Sequence, residues 1–327
     1  MTPIDVLILE DGTTLLAQEN AKGILLEDGI PFADTLRRNY VNHMLGALVC
    51  WNMPTFHELD HADPDMNVDT FAPTGLDIDQ WLTTIVSAGG KYATFTAKHH
   101  DGFALWPTAY AASGHLPYSV AQTAWYAANG NPDIVDLFVT KCLAHGLIPG
   151  LYFSIKDYTY EVRSGTTQYD HPTEYVAMIK TQLTELLTNY GTIESIWFDG
   201  WGWLMGYDYI TYAMIYNFVK SLSPTTLVIE NAQTHPTLTS EIETYEALDI
   251  IPVGNIRLSE AVQSCRINGR WFYEIHDDQS AAAYDLANTQ WQIANANGNN
   301  GTYLISSSPN LAGVIPAAQV AFFATIP

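Results

Sequence analysis

Basic residues are scarce in this 327-residue chain. Lys and Arg number 13 against 35 Asp and Glu, so the formal net charge is −22. A surface of this sign repels phosphate backbones and anionic lipid headgroups, so we expect neither a nucleic acid nor a membrane as partner. No apolar run approaches the ~18 residues of a membrane span. The first residues carry no basic segment followed by an apolar run, so no secretory leader is visible and a cytoplasmic location is the default expectation.

Cysteine is scarce as well. Cys50, Cys142 and Cys265 lie far apart in the sequence, which argues against a disulfide framework and against a cysteine metal site. We expect three buried free thiols. No Gly-x-Gly-x-x-Gly motif follows the first predicted strand of the main domain, which weakens a dinucleotide-binding interpretation. The sequence therefore predicts neither a metal nor an organic cofactor.

Hydrophobic residues, by contrast, are plentiful at 47%, and aromatic residues reach 12%. The first fraction is typical of a globular protein with a sizeable core. Trp and Tyr suit sugar-binding clefts, because their rings stack on sugar C–H faces while their polar tips form hydrogen bonds. Aromatic rings also fill ordinary cores, so composition alone does not separate these two roles.

The first 38 residues differ from the rest. The segment Ile-Leu-Glu-Asp-Gly (8–12) recurs as Leu-Leu-Glu-Asp-Gly (25–29), and each copy is a short apolar run that ends in a hairpin-turn signal. We predict a small β-hairpin appendage over 1–38 and a separate barrel domain over 39–327. The appendage either caps the barrel domain or serves in attachment or assembly, and a homo-oligomer is possible.

From residue 40 onward, predicted strands alternate with predicted helices. This order implies parallel strands with crossover helices, and about eight such units favour an α/β protein with a (β/α)₈ barrel over a doubly wound sheet. The predicted strands cover 45–50, 92–97, 148–154, 193–198, 226–230, 271–274 and 302–306, and the predicted helices cover 76–89, 133–145, 173–190, 209–222 and 280–295.

Three strand ends are unusually polar, and in such barrels the functional groups lie at the carboxyl ends of the strands. The first strand runs into Lys-His-His-Asp (98–101) and then into Trp106. His99 and His100 are suited to bind sugar hydroxyls, with Trp106 as an apolar wall. A metal site or an ordinary loop histidine is the alternative. Successive strand residues point to opposite faces, so these two imidazoles are not expected to share one metal.

The second strand ends in Asp199, between Trp197 and Gly200. A carboxylate there can attack an anomeric carbon or stabilise an oxocarbenium ion, and a helix cap is the alternative. Glycoside hydrolysis normally needs a second carboxyl group that protonates the leaving oxygen. The third polar strand end is Glu-Ile-Glu-Thr-Tyr-Glu (241–246), followed later by Ser-Glu (259–260), and Glu246 and Glu260 are both candidates for this role.

Several long segments resemble the glycoside hydrolase family 29 α-L-fucosidases. The most specific are KYATFTAKHHDGFALWPT (91–108) and YVAMIKTQLTELLTNYGTIESIWFDGWG (175–202), and the segments at 63–81, 150–160 and 298–316 are similar too. They occur in the family's order over about residues 40 to 327.

This resemblance implies a (β/α)₈-like barrel and a retaining double displacement on terminal α-L-fucosides of an oligosaccharide or glycoconjugate. It implies Asp199 as nucleophile and Glu246 as acid/base, with Glu260 as the alternative. Substrate contacts are expected from Cys50, Trp51, His99, His100, Trp106, Tyr152, Trp197, Trp271 and Phe272, the last two as the wall beside the deoxy-sugar methyl.

The sequence departs from the family pattern at Cys50, where the family usually has His. A thiol is a poor hydrogen-bond donor, so another sugar such as an α-galactoside, or a non-catalytic sugar-binding barrel, is the alternative expectation. The segment TYLISSSP (302–309) replaces an apolar family motif, so the base of the pocket is expected to differ. We do not expect the family's C-terminal β-sandwich in this chain.

Overall fold

A computed structural model describes residues 5–8, 14–17, 24–26, 32–64, 66–111, 115–164, 172–202, 204–207, 209–231, 240–247, 250–276 and 279–327. The first described strands, β1 (Asp5–Ile8), β2 (Thr14–Ala17) and β3 (Ile24–Leu26), form a three-stranded antiparallel sheet. The Asp-Gly turns of the predicted hairpin lie outside the described residues. Helix α1 (Phe32–Val41) follows and spans the predicted boundary at residue 38.

Eight parallel strands form a closed barrel, which confirms the predicted architecture. Each strand pairs with the next along the chain, and the last closes on the first. They are β4 (Leu45–Val49), β5 (Tyr92–Lys98), β6 (Ile148–Ser154), β7 (Ser195–Asp199), β8 (Leu227–Glu230), β9 (Glu243–Glu246), β10 (Ser259–Gln263) and β11 (Gly301–Ser307).

Helices follow most of these strands. They are α2 (Met53–His57), α3 (Ile78–Ser87), α4 (Ala124–Ala128), α5 (Ile134–Ala144), α6 (Tyr158–Ser164), α7 (Pro172–Thr188), α8 (Tyr212–Leu222), α9 (Leu286–Gly298) and α10 (Ala317–Phe323). In the described ranges no helix lies between β8 and β9 or between β9 and β10. The side chains of Asp77, Asp133 and Asp285 accept hydrogen bonds from backbone N–H groups in the first turns of α3, α5 and α9, as expected for N-caps.

The sequence-based assignment was wrong in one part of the barrel. No strand covers 271–274. The barrel strands in this part are β9, whose polar end at 241–246 was predicted without a strand range, and β10, which was not predicted. Both are short and carry Glu, Thr and Ser at buried positions, which hides the apolar pattern of a barrel strand. The helix predicted from residue 280 begins at Leu286, after a short 3₁₀ turn at 281–283.

The barrel interior holds a buried carboxylate near the amino ends of its strands. Glu260, the second residue of β10, accepts hydrogen bonds from the hydroxyls of Tyr40 (2.5 Å) and Tyr92 (2.8 Å) and from Nε1 of Trp197 (2.8 Å). Burial raises the pKa of Glu260, although these three donors oppose the shift. Because each of its donors comes from a different element, this network joins α1, β5, β7 and β10.

Two further sequence expectations concern the whole chain. Cys50, Cys142 and Cys265 are buried free thiols, as predicted. Within the described ranges, the helices are too short or too polar to cross a membrane.

Candidate active site

A cavity of about 260 Å³ opens at the carboxyl end of the barrel, slightly below the roughly 300–1,000 Å³ typical of ligand pockets. This size suits a single sugar ring. Nine of the predicted site residues line it. From the strands and the residues that directly follow them come Cys50, His99, His100, Tyr152, Trp197, Asp199 and Glu246, and from the loop after β10 come Trp271 and Phe272.

Asp199 is the last residue of β7, and fixed donors orient its carboxylate. The hydroxyl of Tyr152 donates to Oδ2 at 2.7 Å, and the backbone N–H of Gly200 donates to Oδ1 at 2.7 Å. Burial, and then the charge of Asp199, raise the pKa of Tyr152 well above its usual range. Tyr152 therefore keeps its proton and remains a donor to Asp199.

Gly200 is required by the turn that presents this carboxylate. Its φ of +64° lies in the left-handed region, which side chains rarely adopt. A Cβ at this position would lie 2.7 Å from Cβ of Lys156 and 3.0 Å from the ring of His100. The glycine after Asp199 thus allows β7 to end against the neighbouring strand ends without displacing His100.

Glu246 is the last residue of β9 and faces the same cavity. The side-chain amide nitrogen of Asn231 donates to Oδ1 of Asp199 at 3.2 Å and to Oε2 of Glu246 at 2.9 Å. The two oxygen atoms are therefore separated by no more than the sum of these lengths, about 6.1 Å.

His100 presents a hydrogen-bond acceptor to the cavity. Its Nδ1 lies 2.5 Å from Oγ of Ser154, and that hydroxyl donates its only proton to the backbone carbonyl of Lys156. Nδ1 must therefore carry the imidazole proton. Burial, and then His99, lower the pKa of His100 to about 3, so the ring is neutral near pH 7. Nε2, which lies 3.7 Å from Oδ2 of Asp199, is left without a proton.

His99 belongs to a stack of rings across the cavity wall. Its ring stacks on Tyr152 with centroids 5.8 Å apart, and Tyr152 stacks on Trp197 at 5.5 Å. Nδ1 of His99 is buried and has no hydrogen-bond partner in the described part of the chain. Burial lowers the pKa of His99 to about 3. The neutral ring is thus held by packing, with Nδ1 facing Oδ2 of Asp101 at 3.7 Å, beyond hydrogen-bond distance.

These two lowered pKa values predict acid sensitivity. As the pH falls from about 6.5 to 3, the unfolded chain takes up protons at His99 and His100 and the folded chain does not, so the contribution of these two residues to stability is lost over this window. The neighbouring Asp101, whose pKa is raised by burial to about 7, takes up its proton first in the folded chain and offsets part of this loss. At pH 5 each histidine lowers the free energy of unfolding by about 2 kcal/mol relative to pH 7. We expect the decrease in the free energy of unfolding between pH 7 and pH 5, measured by urea unfolding, to be smaller by about this amount in H99Q than in the wild type. H276Q, at a side chain that is 91% exposed, is the control. An unchanged loss in H99Q would contradict the prediction.

One wall of the cavity is aromatic. Trp271 and Phe272 lie in the loop after β10, and both of their backbone N–H groups donate to Oδ1 of Asp60, at 3.2 and 3.4 Å. Phe272 also meets the ring of His99 edge-on at 4.9 Å. These residues resembled a strand in the sequence because a ligand-facing loop can be as apolar as a strand.

Three predicted site residues lie outside the cavity. Glu260 is fully buried at the amino end of β10, whereas the cavity opens at the carboxyl ends. Trp51 packs outside the barrel against Phe71 and Trp81, because neighbouring residues at a strand end point to opposite sides and Cys50 takes the inner one.

Trp106 is the third predicted site residue that lies outside the cavity. The backbone N–H of Leu105 donates to the carbonyl of Ala97, so the chain runs back along β5 and away from the rim. Nε1 of Trp106 then donates to Glu185 of α7 at 2.7 Å.

The expectation that His99 and His100 face opposite ways was also wrong. Strand β5 ends at Lys98, and both rings line the cavity with centroids 4.2 Å apart.

Sequence reasoning missed several polar residues of the site, among them Asn231, Asp60 and His61. Asn231 directly follows β8, a strand that was predicted without its polar end. Asp60 and His61 lie in an irregular loop after α2, and the ring of His61 stacks on His100 at 5.3 Å. The rule that functional groups lie at the carboxyl ends of barrel strands could have found Asn231, whereas no local sequence pattern marks Asp60 or His61.

Comparison with known proteins identifies relatives along most of the chain. The model of the family described as alpha-L-fucosidase matches residues 47–326. A putative alpha-L-fucosidase 1 of Oryza sativa is 39% identical over 139 residues, which are 42% of this chain and 24% of that protein. The alpha-L-fucosidase 1 of Arabidopsis thaliana is 35% identical over 146 residues, 45% of this chain and 26% of that protein. The matched part thus spans about a quarter of these curated relatives.

Solved structures share the fold. A putative alpha-L-fucosidase from Bacteroides thetaiotaomicron superposes with a TM-score of 0.72 at 25% identity, covering 87% of this chain and 65% of that one. An alpha-L-fucosidase of Lactobacillus casei, solved in complex with α-L-fucose, superposes with a TM-score of 0.68 at 19% identity, covering 90% and 96%.

Proposed function

This chain belongs to the α-L-fucosidase family, glycoside hydrolase family 29, and we propose that it hydrolyses terminal α-L-fucosides with retention of configuration. The observation that carries the proposal is the carboxylate pair Asp199 and Glu246, which share one cavity and one bridging amide. Oδ1 of Asp199 and Oε2 of Glu246 are no more than about 6.1 Å apart, which lies below the roughly 6.5–9.5 Å of inverting enzymes and admits the roughly 5–5.5 Å of retaining glycosidases.

In the first step a carboxylate oxygen of Asp199 forms a bond to the anomeric carbon, and the bond to the leaving oxygen breaks. Glu246 gives its proton to that oxygen, so the aglycone leaves as a neutral alcohol. In the second step Glu246 takes a proton from water, whose oxygen displaces Asp199 and releases the sugar. The donors Tyr152 and Gly200 hold Asp199 in place for both displacements.

The substrate preference follows from the aromatic wall. L-Fucose differs from L-galactose by a methyl group in place of the C6 hydroxymethyl. Phe272 and Trp271 offer an apolar surface for such a methyl, and their side chains have no acceptor for a C6 hydroxyl.

A second candidate function, hydrolysis of another sugar such as an α-galactoside, is favoured by Cys50. Its thiol lines the cavity, and burial raises its pKa well above the usual range, so it stays protonated. The thiol donates to the backbone carbonyl of Leu48 at 3.7 Å and is directed to the barrel backbone. A sugar hydroxyl that meets His in the wider family would meet a weak partner here.

Two matched substrates separate these functions. 4-Nitrophenyl α-L-fucoside and 4-nitrophenyl α-L-galactoside differ only at C6, and we expect kcat/KM to favour the fucoside by about 10–100-fold. ¹H NMR of the first product should show α-L-fucose before mutarotation. A preference for the galactoside would favour the second function, and first-formed β-L-fucose would exclude retention. Fucose binding without turnover of either glycoside would indicate a sugar-binding protein.

A further inference from the structure

Two buried polar atoms face each other behind the catalytic cavity. They are Nδ1 of His99 and Oδ2 of Asp101, which lie 3.7 Å apart, and neither has a hydrogen-bond partner in the described part of the chain. Because unpaired buried polar atoms cost free energy, a closer approach of about 0.8 Å that joins them is favourable. We propose that Asp101 is a positioning residue: as a neutral carboxylic acid it donates its proton to Nδ1 of His99 and so keeps the imidazole proton on Nε2. The inference deepens the proposed function, on which its choice of ligand rests.

The backbone determines which oxygen of Asp101 carries the proton. The N–H of Phe103 donates to Oδ1 of Asp101 at 2.9 Å, so Oδ1 is occupied as an acceptor. A carboxyl proton is therefore carried by Oδ2, the oxygen that faces His99. Asp101 is fully buried, and burial raises its pKa to about 7, so the acid form is populated below this pH. The Oδ2–H group is thus the donor that Nδ1 of His99 lacks.

The groups around Asp101 do not favour its ionised form. The ammonium of Lys98 lies 3.1 Å from Oδ2 of Asp157, so its charge is engaged by another carboxylate, and Asp157 itself raises the pKa of Asp101. Burial lowers the pKa of both His57 and His100, so neither ring adds a positive charge near pH 7. The titratable groups that surround the His99–Asp101 pair are His57, His61, Lys98, His100, Asp157 and Asp199.

This tautomer gives the two imidazoles of the cavity complementary roles. Both rings line the cavity with centroids 4.2 Å apart, and Nδ1 of His99 is buried, so Nε2 is the nitrogen of His99 that a sugar can reach. His100 presents a bare Nε2, because Ser154 fixes its proton on Nδ1. A sugar hydroxyl can accept from His99 and donate to His100, whereas its single proton cannot satisfy two acceptors.

Ionisation of Asp101 reverses the arrangement. When the carboxyl proton leaves to solvent, Oδ2 becomes an acceptor, and the imidazole proton of His99 moves from Nε2 to Nδ1 to meet it. D101N blocks this change. The N–H of Phe103 keeps the amide oxygen at the place of Oδ1, so the amide nitrogen takes the place of Oδ2 and donates to Nδ1 at every pH. The variant therefore fixes the tautomer that the acid form of the wild type has.

The first experiment reads the tautomer directly. In protein labelled with ¹⁵N-histidine, the shifts of the two ring nitrogens distinguish a protonated nitrogen from a bare one, and H99Q identifies the signals of His99. We expect the proton on Nε2 at pH 6 in the wild type and in D101N. At pH 8 we expect it on Nδ1 in the wild type and still on Nε2 in D101N. The wild-type comparison alone tests the proposal if D101N fails to fold.

The second experiment measures kcat/KM on 4-nitrophenyl α-L-fucoside at both pH values. With a pKa of about 7, Asp101 is about nine-tenths protonated at pH 6 and about one-tenth at pH 8. If the lost hydrogen bond is worth about tenfold, the ratio of the D101N value to the wild-type value should rise about fivefold from pH 6 to pH 8. Ionisation of Glu246 affects both proteins alike and cancels in this ratio. D79N, at a surface carboxylate, is the control and should show no such rise.

The outcomes are distinct. A proton on Nδ1 of His99 at pH 6 in the wild type, or a change of tautomer in D101N like that of the wild type, would overturn the proposal. So would a ratio of kcat/KM values that does not change with pH. If the tautomers behave as expected but no fucoside is hydrolysed, the proposed function fails, whereas the action of Asp101 on His99 is upheld.

Discussion

Replacing Asp199 with Asn is expected to lower kcat on 4-nitrophenyl α-L-fucoside by about 10⁴–10⁶-fold, while the protein still folds. An amide oxygen cannot form the glycosyl ester, because it lacks the negative charge and leaving ability of a carboxylate. The isosteric side chain keeps an acceptor for the N–H of Gly200, and its nitrogen can donate to the oxygen of Tyr152. Initial rates and the urea unfolding midpoint are the two measurements.

A rescue experiment makes the role of Asp199 specific. In D199G the missing side chain leaves space on the face of the sugar from which Asp199 would attack. Azide added from solution should attack from that face and give β-L-fucosyl azide, with inverted configuration. D79N, at a surface carboxylate that is 53% exposed, is the control and should keep wild-type rates. Near-normal activity in D199N would exclude Asp199 as the nucleophile.

Sequence analysis located site residues best where an apolar strand ends in polar residues. Strand β7 is uniformly buried and ends in Asp199, so both the strand and its polar terminus stand out in one segment. The same holds for β5 and the imidazoles that follow it. In these places local pattern and tertiary position agree, because barrel geometry puts every strand's carboxyl end at one rim.

Sequence analysis failed where position depends on the path of a loop. Trp106 looked like a cavity wall because it follows the His-His-Asp segment, but the chain turns back along β5 and carries it to Glu185. Asp60 reaches the site from the loop after α2 by binding the backbone of Trp271, about 210 residues later in the sequence. Contacts of this kind depend on closure of the whole barrel, and no local periodicity encodes them.

The choice between Glu246 and Glu260 illustrates the same limit. Both are glutamates on short, polar barrel strands, so their segments are equally plausible in the sequence. They differ in depth. Glu246 ends β9 at the cavity, while Glu260 lies at the other end of β10 among Tyr40, Tyr92 and Trp197. We therefore expect variants of Glu246 and Glu260 to differ in how their activity depends on the leaving group.

Replacing Glu246 with Ala should lower kcat/KM by about 10²–10⁴-fold on a fucoside with an alcohol leaving group, which cannot depart without a proton. On 4-nitrophenyl α-L-fucoside the first step should be much less affected, because 4-nitrophenolate leaves unprotonated. The second step should still be slow, since no base activates the water. Azide, which needs no base, should restore turnover and give α-L-fucosyl azide, with retained configuration, the opposite of the product expected from D199G.

Substituting Gln for Glu260 is the matched comparison. Glu260 touches Trp197, which stacks on Tyr152, the donor to Asp199, so its loss can disturb the site only through these rings. E260Q should therefore lower kcat/KM by the same factor for both leaving groups, and azide should give no rescue. If instead E260Q shows the leaving-group dependence and the azide product while E246A shows neither, the proton donor is Glu260.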